Sequence, residues 1–137
     1  MISRAIRMYG TAFPLIAAAA CATAGTVRSQ PLNAGEAKFY AAPLQLVAQA
    51  THQVMLSAGL SVDTTSQPDS LTWMIMAHKG LSLLSYGEVV RVVVQRTAEG
   101  SVAVRVFTKR RLATNLTAKG DWSGPIFEQL DRILTQP

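Results

Sequence analysis

From Glu88 to Thr97 the chain reads EVVRVVVQRT, and from Ser101 to Arg111 it reads SVAVRVFTKRR, with Ala98, Glu99 and Gly100 between the two runs. β-Branched residues are stiff and pack well on a pleated surface, and glycine accepts the left-handed or bulged backbone that a three-residue connection needs. An antiparallel hairpin follows. Its second arm sets Val102, Val104 and Val106 on one face against Ala103, Arg105, Phe107 and Lys109 on the other, so one face is core and the opposite face is partly wet. The valine face must be covered by other elements of the chain.

Two helices are predicted to cover it. From Pro43 to Ala58 (PLQLVAQATHQVMLSA) apolar residues recur at Leu44, Val47, Ala48, Met55 and Ala58, while Gln45, Gln49 and Gln53 fall on other faces. Pro43 suits the first turn, and Gly59 suits the position just past the end. The second helix begins near Asp121 or Ser123, either of which is a capping residue, and carries Ile126, Phe127, Leu130, Ile133 and Leu134 at helical spacing. If it docks through Phe127, Phe127→Ala removes about 3 to 5 kcal/mol. Leu60 to Thr65 alternates as a short strand that ends at the turn signal Ser66-Gln67-Pro68-Asp69, and Ser70 to His78 is a strand buried on much of both sides. Leu81 to Tyr86 is ambiguous between strand and loop. The expected fold is α+β: an antiparallel sheet of three to five strands with two helices packed on one face.

Composition bounds the partners. The 137 residues carry a net charge of +5, but four of the thirteen bases and one of the eight acids precede Phe39, so the remainder balances at only +2. That is too little for a nucleic-acid-binding domain, and Phe107 is the only aromatic near the basic residues; no nucleic-acid partner is expected. The chain is long enough for one domain.

The N-terminus points to export. Arg4 and Arg7 precede an uncharged stretch from Met8 to Ala20 that ends in four alanines and Cys21. A basic segment followed by a short apolar one reads as a signal peptide over residues 1–20. Thirteen helical residues span roughly 20 Å, short of the roughly 30 Å hydrocarbon core, so a permanent membrane helix is not expected. Residues 21–38 would then be a modified cysteine and a flexible tether rich in small residues, and 39–137 the single folded domain. Cys21 is the one cysteine, which excludes an intramolecular disulfide.

Ala18-Ala19-Ala20-Cys21 resembles the lipobox of bacterial lipoproteins, with Ala18 standing where that pattern usually has leucine. The resemblance implies a diacylglyceryl group on Cys21 as the mature N-terminus; cleavage after Ala20 or Ala24 is the alternative. Ala22 after the cysteine, in place of Asp, implies delivery to the outer membrane, periplasmic face, with a periplasmic or secreted product as the alternative location. Together with Phe39-Tyr40, the first helix, Gly59-Leu60-Ser61-Val62, the hairpin and the Ile126 to Leu134 helix, this layout resembles short Gram-negative envelope lipoproteins with a Cys-anchored α-β-β-β-α domain. The resemblance implies a lipid-anchored accessory or interaction module with a membrane contact and an envelope protein partner, and it carries over no catalytic residue; the alternative function is a soluble exported domain that binds a small apolar or anionic ligand.

No enzymatic constellation emerges. Gly120-Asp121-Trp122-Ser123-Gly124-Pro125 resembles the nucleophile segment of chymotrypsin-like proteases, but the chain is about half the length a two-barrel enzyme needs, and a turn before a helix explains it. His52 and His78 have no adjacent acids at ligand spacing, so no metal and no cofactor is expected. The candidate contacts for an anionic partner are Arg105, Lys109 and Arg111, which strand alternation projects to one face. A charged, soluble sheet edge is the plainer explanation of the same row. Met55, Met74 and Met76 with Trp73 read as core, with an adaptable apolar groove as the alternative.

Overall fold

The valine hairpin lies at the centre of the sheet. The computed structural model describes residues 24–80, 87–110 and 121–135. Its elements run α1 (Ala24–Arg28), β1 (Glu36–Tyr40), α2 (Leu44–Ser57), β2 (Ser61–Asp69), β3 (Thr72–Lys79), β4 (Glu88–Arg96), β5 (Val102–Arg110) and α3 (Ser123–Leu134). The five strands form one antiparallel sheet in the order β1-β5-β4-β3-β2. The fold is the expected α+β sheet, at the upper end of the strand count. The ambiguous stretch Leu81 to Tyr86 lies outside the described residues.

Alternation divides the sheet into two faces with separate cores. Ile75, Ala77, Val90, Val92, Val94, Val102, Val104 and Val106 pack beneath α2 and α3. Met74, Met76, Val89 and Val93 pack on the opposite face with Val27 of α1, and Phe107 flanks them. The expected pair of helices thus shares one face, and α1 adds a third on the other.

The C-terminal end of α2 follows the sequence signal, whereas Pro43 stands at the N-cap instead of in the first turn. Gly59 has φ +86°. Its N–H donates to the Leu56 carbonyl while the Leu60 N–H reaches back to Met55. This 6→1 and 5→2 pair is a Schellman ending, closed by burial of Leu60 against the core. Gly100, at φ +86°, turns the β4–β5 hairpin as expected.

Two other boundaries differ from the expectation. β2 runs through Ser66-Gln67-Pro68-Asp69 instead of turning there. Pro68 is tolerated because β2 is an edge strand whose outer N–H groups have no ladder partner to lose, and register shifts between Val62 and Thr64 and between Ser66 and Asp69 absorb the irregularity. Neither Asp121 nor Ser123 is the N-cap of α3. Trp122 takes that position, and Asp121 acts one residue earlier by accepting the Ser123 N–H at 2.8 Å and its hydroxyl at 2.7 Å.

Residues 24–38 are not a free tether. They contain α1 and β1, and β1 pairs along its whole length with β5, Glu36 opposite Val106 and Tyr40 opposite Val102. Edge pairing uses backbone groups, so the segment needed no apolar period to join the sheet. β1 is also tied to α3. Lys38 and the Tyr40 hydroxyl both donate to Asp131, the latter at 3.0 Å. The Lys38 ammonium holds the Asp131 carboxyl below its usual range, and burial, with the Asp131 bond adding to it, pushes the Tyr40 phenol far up.

In α3 the packed residues are Ile126 and Leu130, both fully buried, whereas Phe127 is partly buried on the flank and Ile133 is exposed. Leu130→Ala should therefore remove about 3 kcal/mol and Phe127→Ala about half of that, less than its sequence position implied. Urea unfolding of the two variants checks the order; a larger loss for Phe127→Ala would mean that α3 docks in another rotation.

Candidate functional site

Arg91 is the most unusual side chain in the sheet. It stands in the valine run of β4 on the α1 face, is 0% exposed, and stacks on Phe107 with the guanidinium carbon 5.7 Å from the ring centroid. Nη1 donates to the carbonyls of Val27 at 3.3 Å, Arg28 at 3.4 Å and Gln30 at 2.5 Å, and Nη2 donates to Pro31 at 2.7 Å. Among the described residues no carboxylate pairs with it, and Nε has no partner. Burial pulls its pKa below the ordinary guanidinium value. A guanidinium retains its proton in proteins, so a full charge is held in this site. What it meets is the C-terminal end of α1, where carbonyls lack intrahelical donors and a positive charge suits the helix dipole. Arg91 is thus a cap supplied to α1 from the sheet. A second tie runs from Arg28 Nη2 to the Thr64 hydroxyl at 3.0 Å.

The candidate anion-contacting residues lie on this same face. Arg105 and Lys109 alternate with Phe107 on β5, Arg105 partly buried and Lys109 exposed. Phe39 of β1, opposite Ala103, faces the same way and is 57% exposed. Arg111 and Cys21 lie outside the described residues, so the structure joins Arg105 to Lys109 only.

The other face carries a groove that the sequence reading did not assemble. Gln45, Ala48, Gln49, His52 and Gln53 form one stripe of α2, at spacing i, i+3, i+4, i+7 and i+8, and Thr65 of β2 and Trp73 of β3 close the opposite wall. The space is about 220 Å³ and opens to solvent along one side. Trp73 packs beside the core, and its indole N–H is buried without a partner. The glutamines share one stripe with His52, and that i, i+4, i+8 repeat was the available signal; only the tertiary fold adds Trp73. Of the other residues considered for an apolar groove, Met55 lies in the core under the helices and Met74 and Met76 in the core under α1.

The remaining candidates resolve into structure. Ser123 donates to Asp121 and, at 3.2 Å, to Glu36, with no histidine among its hydrogen-bond partners. His78 Nδ1 lies 2.8 Å from both oxygens of Asp63, an acid that β2 brings alongside it. Among the described residues no cluster of three metal-ligating side chains exists, and no helix is long and apolar enough to cross a membrane. In comparison with known proteins, the chain matches no family model and no curated protein.

Proposed function

We propose that the protein is a lipid-anchored, non-enzymatic interaction module of a bacterial envelope, held at the membrane through Cys21 with its α1 face toward the lipid. The observation that supports this most is the distance along the chain. α1 begins three residues after Cys21. Three residue steps reach at most about 10 Å, so an acyl anchor on Cys21 lies close to the face that α1 covers. A buried guanidinium that meets carbonyls of the α1 segment then has a purpose: it fixes where the anchored chain enters the domain. Arg105 and Lys109 on that face suit lipid phosphates, each basic group near an anionic surface contributing about 1 kcal/mol, and exposed Phe39 suits the interfacial region.

The test is intact mass. Isolated from membranes of an expressing bacterium, the protein should begin at Cys21 and exceed its polypeptide mass by a diacylglyceryl group and acyl chain, and Cys21→Ser should move it to the soluble fraction. An unmodified soluble species beginning after Ala20 or Ala24 would overturn the anchor. It would leave the second reading, an exported soluble domain that binds a small ligand, for which the groove beneath α2 is the supporting observation.

A further inference from the structure

We propose that the α1 segment is a displaceable cover over a site for a single-chain anionic amphiphile, a carboxylate head on an unbranched apolar chain, with Arg91 as the partner of the head. The inference rests on the surroundings of Arg91 and stands whether or not Cys21 is acylated.

The head site is a full charge whose hydrogen bonding is incomplete. Arg91 donates from Nη1 and Nη2 to carbonyls of residues 27–31, while its Nε is buried with no partner. A guanidinium is a planar fork, and a carboxylate meets one edge of it with two parallel bonds, on Nε and on the adjacent Nη. The neutral carbonyls reach the Nη positions alone and leave that edge unmet. The surroundings are also positive. Across the β4–β5 ladder Arg91 stands opposite Phe107, and the next residues of β5 on this face are Arg105, opposite Val93, and Lys109, opposite Val89. An anionic head is therefore favoured over a neutral one.

The chain site is the floor beneath α1. Met74, Met76, Val89 and Val93 form one apolar cluster beside Arg91, with Phe107 at its flank. Two of the four are methionines, whose unbranched thioether side chains repack around a flexible partner.

The cover over this floor is thin. From Ala24 to Gly35 Val27 alone is buried. α1 has five residues, too few to be a stable helix by itself, and a segment with few buried apolar contacts opens at low free energy. Displacing it returns the Arg28 and Gln30 carbonyls to water, gives the guanidinium a full counter-charge, and puts an apolar chain where Val27 packed. A neutral apolar ligand would leave the Arg91 charge without acceptors, and a small anion would leave the methionines and valines uncovered. The ligand that replaces α1 must carry both parts.

The experiment titrates the full chain with octanoate, and with octanol and acetate to supply the chain and the head separately, all below micelle-forming concentrations. NMR follows the Arg91 Nε–H and the Ser29 and Gln30 amides, whose hydrogen bonds to the Gly25 and Val27 carbonyls report on α1. The expected result is saturable movement of the Arg91 signal by octanoate with faster exchange at both amides, and binding of octanol and acetate at least about tenfold weaker. Val27→Ala loosens the cover without touching Arg91 and should tighten octanoate binding about tenfold, because less free energy is spent on opening. Arg91→Ala keeps the apolar floor and should bind octanoate no better than octanol. Urea unfolding of each variant confirms that the sheet persists. Octanoate binding that leaves the two amides protected, that octanol matches in the unaltered chain, or that moves the Trp73 indole N–H of the other face in place of Arg91 overturns the proposal. Absence of saturable movement, or Val27→Ala binding no more tightly, overturns it as well.

Discussion

Arg91→Ala should lift α1 off the sheet and remove about 3 to 5 kcal/mol of stability, the range for leaving buried polar groups without their charged partner. Two terms oppose each other at this position. Burying a guanidinium without a carboxylate is unfavourable by several kcal/mol, and alanine removes that penalty. The carbonyls of Arg28 and Gln30 lose the donor that Arg91 supplies at the same time, whereas those of Val27 and Pro31 keep the Gln30 and Ala34 N–H groups. Because these carbonyls regain water only if the segment leaves the sheet, the second term wins through a local opening. Val27, Met74, Met76 and Val93 would then be uncovered.

The readout is hydrogen exchange and dye binding alongside urea unfolding. The Ser29 and Gln30 amides, bonded to the Gly25 and Val27 carbonyls, should lose protection in Arg91→Ala while those of β4 and β5 keep theirs, and a hydrophobic dye should bind. Arg91→Lys discriminates charge from shape. A lysine carries the charge without the planar fork, so it cannot serve carbonyls on both Nη positions and should recover only part of the loss. Full recovery in Arg91→Lys would show that the fork geometry is unimportant, and unchanged protection in Arg91→Ala would show that Val27 and the Arg28–Thr64 bond hold α1 without Arg91.

How much of this was legible differs element by element. The hairpin and α2 were readable because their information is local: valine alternation with a glycine at the turn, and an apolar stripe closed by Gly59. α1 and β1 were not, because what holds them is remote. β1 is held by backbone pairing that any composition permits, and α1 by an arginine about sixty residues away in the chain. A signal for Arg91 did exist. It shares the parity of Val89 and Val93 inside a run of valines, and an arginine there is either on a wet face or buried with a task. The groove was half legible, since α2 shows its amide stripe in sequence, but the tryptophan facing it comes from a strand twenty residues on.

Gly35 shows the reverse situation, a residue in the supposed tether whose replacement should be among the most damaging. It precedes β1, has φ +94°, and a Cβ there would stand 2.2 Å from the Val106 carbonyl oxygen and 2.7 Å from its carbon. Those are backbone atoms of β5, the central partner of β1 and β4, and no rotamer change moves them. Left-handed backbone disfavours alanine by about 1 to 2 kcal/mol, and overpacking against a fixed neighbour adds about 1 to 3 more, so Gly35→Ala should remove about 2 to 5 kcal/mol. Gly100→Ala separates the two causes. Gly100 has φ +86° but nothing within 4 Å of its would-be Cβ, so only the conformational part applies and the loss should stay near about 1 to 2 kcal/mol. If urea unfolding gives both variants the same loss, close approach to β5 is not what Gly35 provides. If Gly35→Ala loses more, and exchange shows β1 released with the Tyr40 and Lys38 bonds to Asp131, then the edge of the sheet is set by one missing methyl group.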